Sequence, residues 1–123
     1  MNKDKELLLL KYLCMALPYG VKCILSEYHI EEFPYNGTYC DKVINLAISG
    51  ATINLLNHIE KYGVKPYLRP MSSMTDKERA YYFAINEEII ICINWLLENH
   101  FDFMGLIPKG IAIEVTKDDN PYE

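Results

Sequence analysis

The segment Lys65-Pro66-Tyr67-Leu68-Arg69-Pro70 holds the most distinctive set of chemistry-bearing side chains in this 123-residue chain. In an extended backbone successive side chains alternate, so Lys65, Tyr67 and Arg69 share one side, and Pro66 and Leu68 the other. Two cations about an aromatic ring can hold an anion or a stacked base. A helix expected to begin at Thr75–Asp76 would add free amides, which also favour anions. Lys65, Tyr67 and Arg69 are therefore the candidate binding patch. The competing reading makes the segment a rigid connector, with Leu68, Met71 and Met74 as anchors, Tyr67 packed and Arg69 paired to an acidic neighbour.

Other chemistries find less support. His29, His58 and His100 are far apart, and zinc sites usually carry a close ligand pair. Cys14, Cys23, Cys40 and Cys92 form no C-x-x-C pair. Cys40, in a polar stretch after Tyr39, is the expected exposed thiol, but no base lies beside it in sequence. Glu31-Glu32, Glu87-Glu88 and Asp118-Asp119 are adjacent carboxylates, which splay apart in helices and strands alike, whereas acid–base work needs two facing one cleft. No phosphate-binding glycine loop and no G-x-S-x-G elbow occurs. The chain thus reads as a non-enzyme, with no catalytic residue, metal ligand or cofactor assigned.

Composition narrows the partners. The net charge is −5, and Arg69 and Arg79 are the only arginines, so the chain lacks the cationic footprint of nucleic-acid binding. Residues 7–17 are apolar apart from Lys11, far short of the ~20 residues that span a bilayer. Asp4 and Glu6 spoil a signal peptide's basic start. Four unpaired cysteines then suit a reducing, cytoplasmic setting without membrane association. Ten tyrosines, amphipathic rings that favour interfaces, point to a protein partner or a second copy of the chain.

These side chains need elements to position them. Leu7, Leu10, Cys14 and Leu17 step by three and four, predicting a helix over 4–17 that Asn2 or Asp4 caps and Pro18 and Gly20 end. Alternation predicts strands at 21–27 and 111–115. Pro34, Asn36 and Gly37 mark a loop or irregular hairpin. Ser49-Gly50 predicts a hairpin turn between strands 43–48 and 51–56, which puts Ile44, Leu46, Ile48, Ala51, Ile53 and Leu55 on one face. A helix from Thr52 to Tyr62 competes with the second strand, because Ile53, Leu56, Ile59 and Tyr62 also step by three. A helical turn near 57–61 should end at Gly63. Thr75 and Glu78 form a capping box that opens a helix over 76–84. Asn86 is expected to cap a helix over 87–101, so apolar that it should be the buried centre of the fold. The polar tail at 116–123 is expected to fray. The predicted class is one α+β domain, three helices packed on a small antiparallel sheet.

Three blocks carry a resemblance: Leu17-Pro18-Tyr19-Gly20-Val21-Lys22, then Lys65 through Thr75, then His100-Phe101-Asp102-Phe103 with Gly105-Leu106-Ile107 and Lys109-Gly110. In this order they resemble a set of small uncharacterised proteins of anaerobic gut bacteria, often encoded in prophages and other mobile elements. Met104 stands where that set would carry a basic residue. The resemblance implies a phage or mobile-element origin, and brings no activity or catalytic residue with it. The expectation is a binding or accessory protein that acts through protein–protein contacts, with a small-ligand, nucleotide or anion domain as the alternative and a small enzyme as the third reading.

Overall fold

A computed structural model describes residues 2–25, 43–48 and 50–123. The chain begins with helix α1 (Lys3–Ala16), capped by Asn2, whose side chain accepts from the Lys5 amide at 2.8 Å. Because α1 is apolar nearly all round, its sequence leaves the inward face open. Leu9, Tyr12, Leu13 and Ala16 are the buried ones, while Leu7 and Cys14 of the expected stripe are exposed. Tyr12 fixes this rotation by donating its hydroxyl to the Phe101 carbonyl at 3.3 Å. A 3-10 turn (Leu17–Tyr19) follows, and Gly20 leaves it at φ +75°, a conformation that disfavours any side chain.

Strand β1 (Val21–Ile24) pairs antiparallel with β2 (Val43–Leu46), in the register Val21↔Leu46 to Ile24↔Val43. Residues 50–56 do not return as the expected hairpin strand. They form helix α2 (Gly50–Leu56), followed by the short α3 (Ile59–Tyr62). Thr52, Leu55, Ile59 and Tyr62 are buried at helical spacing, whereas Ile53 and Ile48, both inward in the hairpin reading, are exposed. β2 pairs with β1 instead of with residues 51–56. Gly63, at φ +62°, ends α3 as expected.

The strand missing from the sequence reading is β3 (Lys65–Leu68). It pairs antiparallel with β1 through Cys23↔Pro66 and Ile24↔Lys65, and parallel with β4 (Ile113–Glu114) through Tyr67↔Ile113 and Leu68↔Glu114. The sheet order is β2-β1-β3-β4, so the sheet is mixed and not wholly antiparallel. A proline inside a ladder removes a donor and hides a central strand from sequence reading.

The capping box is present. Thr75 accepts from the Glu78 amide at 3.1 Å, Glu78 accepts from the Thr75 amide at 2.9 Å, and helix α4 runs over Asp76–Ile85. Helix α5 spans Ile89–Glu98, shorter than expected at both ends. Asn86 closes α4 instead of opening α5. At the far end the Phe101 amide donates to Leu96 and the His100 amide to Leu97, with His100 at φ +63°. This is a Schellman ending with histidine at the left-handed position that glycine usually takes.

The main core lies between α1, the sheet and the α2–α3 segment. A smaller cluster of Met74, Cys92, Leu96 and Phe101 fills the space beneath α4 and α5. The 116–123 tail is not frayed, because Tyr122 anchors it. The Tyr122 hydroxyl accepts from the Lys22 amide at 3.0 Å and donates to the Tyr67 carbonyl at 2.7 Å, and its ring stacks on His100 at 3.7 Å. The result is an α+β fold, and no helix among the described residues is long and apolar enough to cross a membrane.

Candidate functional site

Arg69 continues the line of β3. Its amide donates to the His100 carbonyl, and its own carbonyl accepts from the Asp102 amide, both at 2.8 Å. That bridge sets the guanidinium 4.2 Å from the Phe101 ring centroid. Both guanidinium ends then reach Glu78, at 2.7 and 2.9 Å, a bidentate pair at the mouth of α4. The bond from Arg69 is the largest influence that holds the Glu78 carboxyl down at about 2, with the Thr75 bonds assisting against the cost of burial.

The three residues of the expected patch therefore part company. Tyr67 is 6% exposed in an interior strand, and burial, then Asp119, pushes its phenol up. Lys65 is half-buried opposite Ile24. Arg69 already has its counter-charge. The segment looked exposed because its polar residues sit beside prolines. It is a strand because β1 and β4 flank it.

Beside Arg69 an open hollow of about 520 Å³ is lined by Thr75, Glu78, Glu98, His100 and Tyr122 among others. Burial, then the charges of Arg69 and Lys22, lowers the His100 pKa to about 4, so the ring is neutral near pH 7. Its Nδ1 is buried without a hydrogen-bond partner. The lining holds carboxylates, the amide side chains of Asn99 and Asn120, one already paired cation and a neutral imidazole.

Reactive groups elsewhere are similarly placed. Cys23 and Cys92 are buried, and burial raises both thiols away from the reactive thiolate. Cys14, unflagged by sequence, is the exposed thiol among the described residues. Cys40, His29 and Glu31-Glu32 lie outside those residues. No group of three His, Cys, Asp or Glu among the described residues could hold a metal ion. Asp102, buried, accepts from the Leu106 and Ile107 amides at 2.7 and 2.9 Å, which gives it a loop-shaping task.

Three distant parts of the chain meet here: the Lys22 amide reaches the Tyr122 hydroxyl, Arg69 lies on Phe101, and the Asp102 amide is bonded to the Arg69 carbonyl. Their residues build one structural joint.

A second candidate surface lies where α5 fails its expectation of burial. Ile90, Ile93 and Leu97 form one stripe of α5, and Ile89, Cys92 and Leu96 another, at steps of three and four. Leu97 lies in the main core with Ile93 against it, while Cys92 and Leu96 lie in the smaller cluster. Both stripes outrun their cores by one turn: Ile89 is 69% exposed and Ile90 77%. Ile91 is 50% exposed and Phe83, near the end of α4, 80%. No residue of α4 is buried; Tyr81 and Tyr82 reach the fold through Trp95, at 5.3 and 6.4 Å between ring centroids. The α4–α5 hairpin thus ends in an apolar tip carrying Glu87 and Glu88, both exposed. Burying side chains of this size is worth about 1.5–3 kcal/mol each, and on this tip that contribution is left unrealised. Exposed apolar clusters rimmed by polar groups mark contact surfaces. Sequence reasoning missed these residues because an all-apolar helix reads as buried; the signal available was the Asn86-Glu87-Glu88 break before the isoleucines.

Scans against family models, curated proteins and solved structures found no match for this chain.

Proposed function

We propose that this is a non-enzymatic binding or accessory protein that acts through protein–protein contacts made by the tip of the α4–α5 hairpin. The supporting observation is the full turn of α5 in which Ile89 and Ile90 extend two core stripes into solvent, with Phe83 of α4 exposed as well. Such stripes normally end where their cover ends, so a partner surface is the cover that this turn lacks among the described residues. The polar hollow at Arg69 supports the alternative of an anion or nucleotide domain poorly, since Glu78 occupies the guanidinium. The sequence resemblance adds a phage or mobile-element origin to this reading, and the buried thiols of Cys23 and Cys92 suit a cytoplasmic setting.

The test is a photo-reactive benzophenone amino acid in place of Ile90, in cells that produce the protein. One discrete cross-linked protein, absent when the same group replaces Asp118, is the expected result. Diffuse background at both positions would overturn the proposal.

A further inference from the structure

We infer that the hairpin tip docks an apolar surface of a different protein that is rimmed by lysine or arginine. This rests on the reading of the tip as a contact surface and adds the chemistry of its partner. Glu87 and Glu88 directly precede the exposed isoleucines, both are exposed, and neither carboxylate has an ion-pair partner among the described residues. The nearest cations on the hairpin do not compensate them. Arg79 donates to the Met74 carbonyl and lies 3.9 Å from Asp76. Lys77 sits at the opposite end of α4, a helix about 15 Å long. The tip is therefore apolar on the first turn of α5 and negative on the link that precedes it.

That pattern selects against a second copy docked tip to tip. Two such tips would bring four carboxylates together around the apolar contact, on chains that each carry a net charge of −5. Like charges facing one another across an interface suppress a pairing, whereas opposite charges steer and register it. A partner whose apolar groove or helix face is bordered by basic side chains meets both features at once.

The probe is a pair of fluorescent amphipathic helical peptides with the same Leu/Ile face, one flanked by lysines and one by glutamates, titrated with the full chain and read by anisotropy. The lysine-flanked peptide should bind at least about tenfold more tightly, and more weakly as salt rises. E87K/E88K should reverse the preference. The equal charge change D118K/E123K, away from the tip, should leave it intact, which separates docking from general attraction to an acidic protein. I90D should abolish binding while circular dichroism stays that of the parent. Equal binding of both peptides, blocked by I90D, would overturn the charge inference and keep the tip as a docking surface. Self-association seen by sedimentation and dissolved by I90D would replace the inferred partner with a second copy. Absence of any I90D-sensitive binding would overturn both.

Discussion

The hydroxyl of Tyr122 occupies a rung of the β1–β3 ladder, 2.7 Å from the carbonyl of Tyr67. The register Cys23↔Pro66 and Ile24↔Lys65, continued by one step, sets Lys22 opposite Tyr67. A direct bond there is replaced by the phenol, which accepts from the Lys22 amide and donates to the Tyr67 carbonyl. Tyr122→Phe keeps the stack on His100 and removes both bonds, leaving two backbone groups unsatisfied. The expected loss is about 1–3 kcal/mol in denaturant unfolding, with faster hydrogen exchange at Lys22. A variant as stable as the parent would show that the tail merely lies on the sheet.

Arg69 and Glu78 tie β3 to the start of α4, and Glu78 serves the capping box at the same time. Glu78→Gln should therefore cost more than an ordinary surface change, about 1–2 kcal/mol. Because the folded carboxyl is held down at about 2, the unfolded chain binds its proton first on acidification. The stabilisation is complete above the ordinary glutamate pKa and is lost as pH falls through about 2. Unfolding followed across that window should show a slope that E78Q flattens.

His100 contributes a second, higher window. Its folded pKa of about 4 lies below the ordinary value of 6.5, so the unfolded state takes up the proton first. Stability should be full above pH 6.5 and fall as pH drops toward 4. His100→Asn tolerates the left-handed backbone and removes the titration. That variant should flatten the upper window alone; an unchanged profile would contradict the assignment.

Gly20 turns the chain from the 3-10 segment into β1 at φ +75°, and a Cβ there would lie 3.4 Å from Asn45 Oδ1. Gly20→Ala should cost about 1–3 kcal/mol, because φ +75° with ψ 144° lies where only glycine fits easily. Thermal unfolding measures it, and Gly110→Ala, at a positive φ with nothing near its Cβ, gives a reference free of side-chain crowding.

Local signals were legible where a few neighbours decide the outcome. Thr75 and Glu78 satisfy each other's amides, so their box is readable from spacing alone, as is the stop at Gly63. Elements fixed by distant partners were not. Residues 51–56 have both strand and helix periodicity, and they fold as helix while β2 pairs with β1. Pro66 hid a central strand, since only the flanking β1 and β4 make it one. Tyr122 looked like tail because its ladder partners are far away in sequence. The isoleucines of α5 looked like core because hydrophobicity states a preference for cover without saying who provides it. For the same reason the candidate patch at Lys65, Tyr67 and Arg69 was visible as chemistry, while the pairing of Arg69 with Glu78 was visible only as one option.

The central claim is that the hairpin tip serves a partner and not the fold. The direct measurement is denaturant unfolding of the purified triple variant F83S/I89S/I90S. Surface changes away from structural features shift stability by no more than about 0.5 kcal/mol each, so the triple variant should unfold within about 1.5 kcal/mol of the parent and lose binding of the lysine-flanked peptide. Core isoleucines and phenylalanines replaced by serine cost about 2–5 kcal/mol apiece. A loss on that scale would contradict the account, because it would make these side chains part of the core.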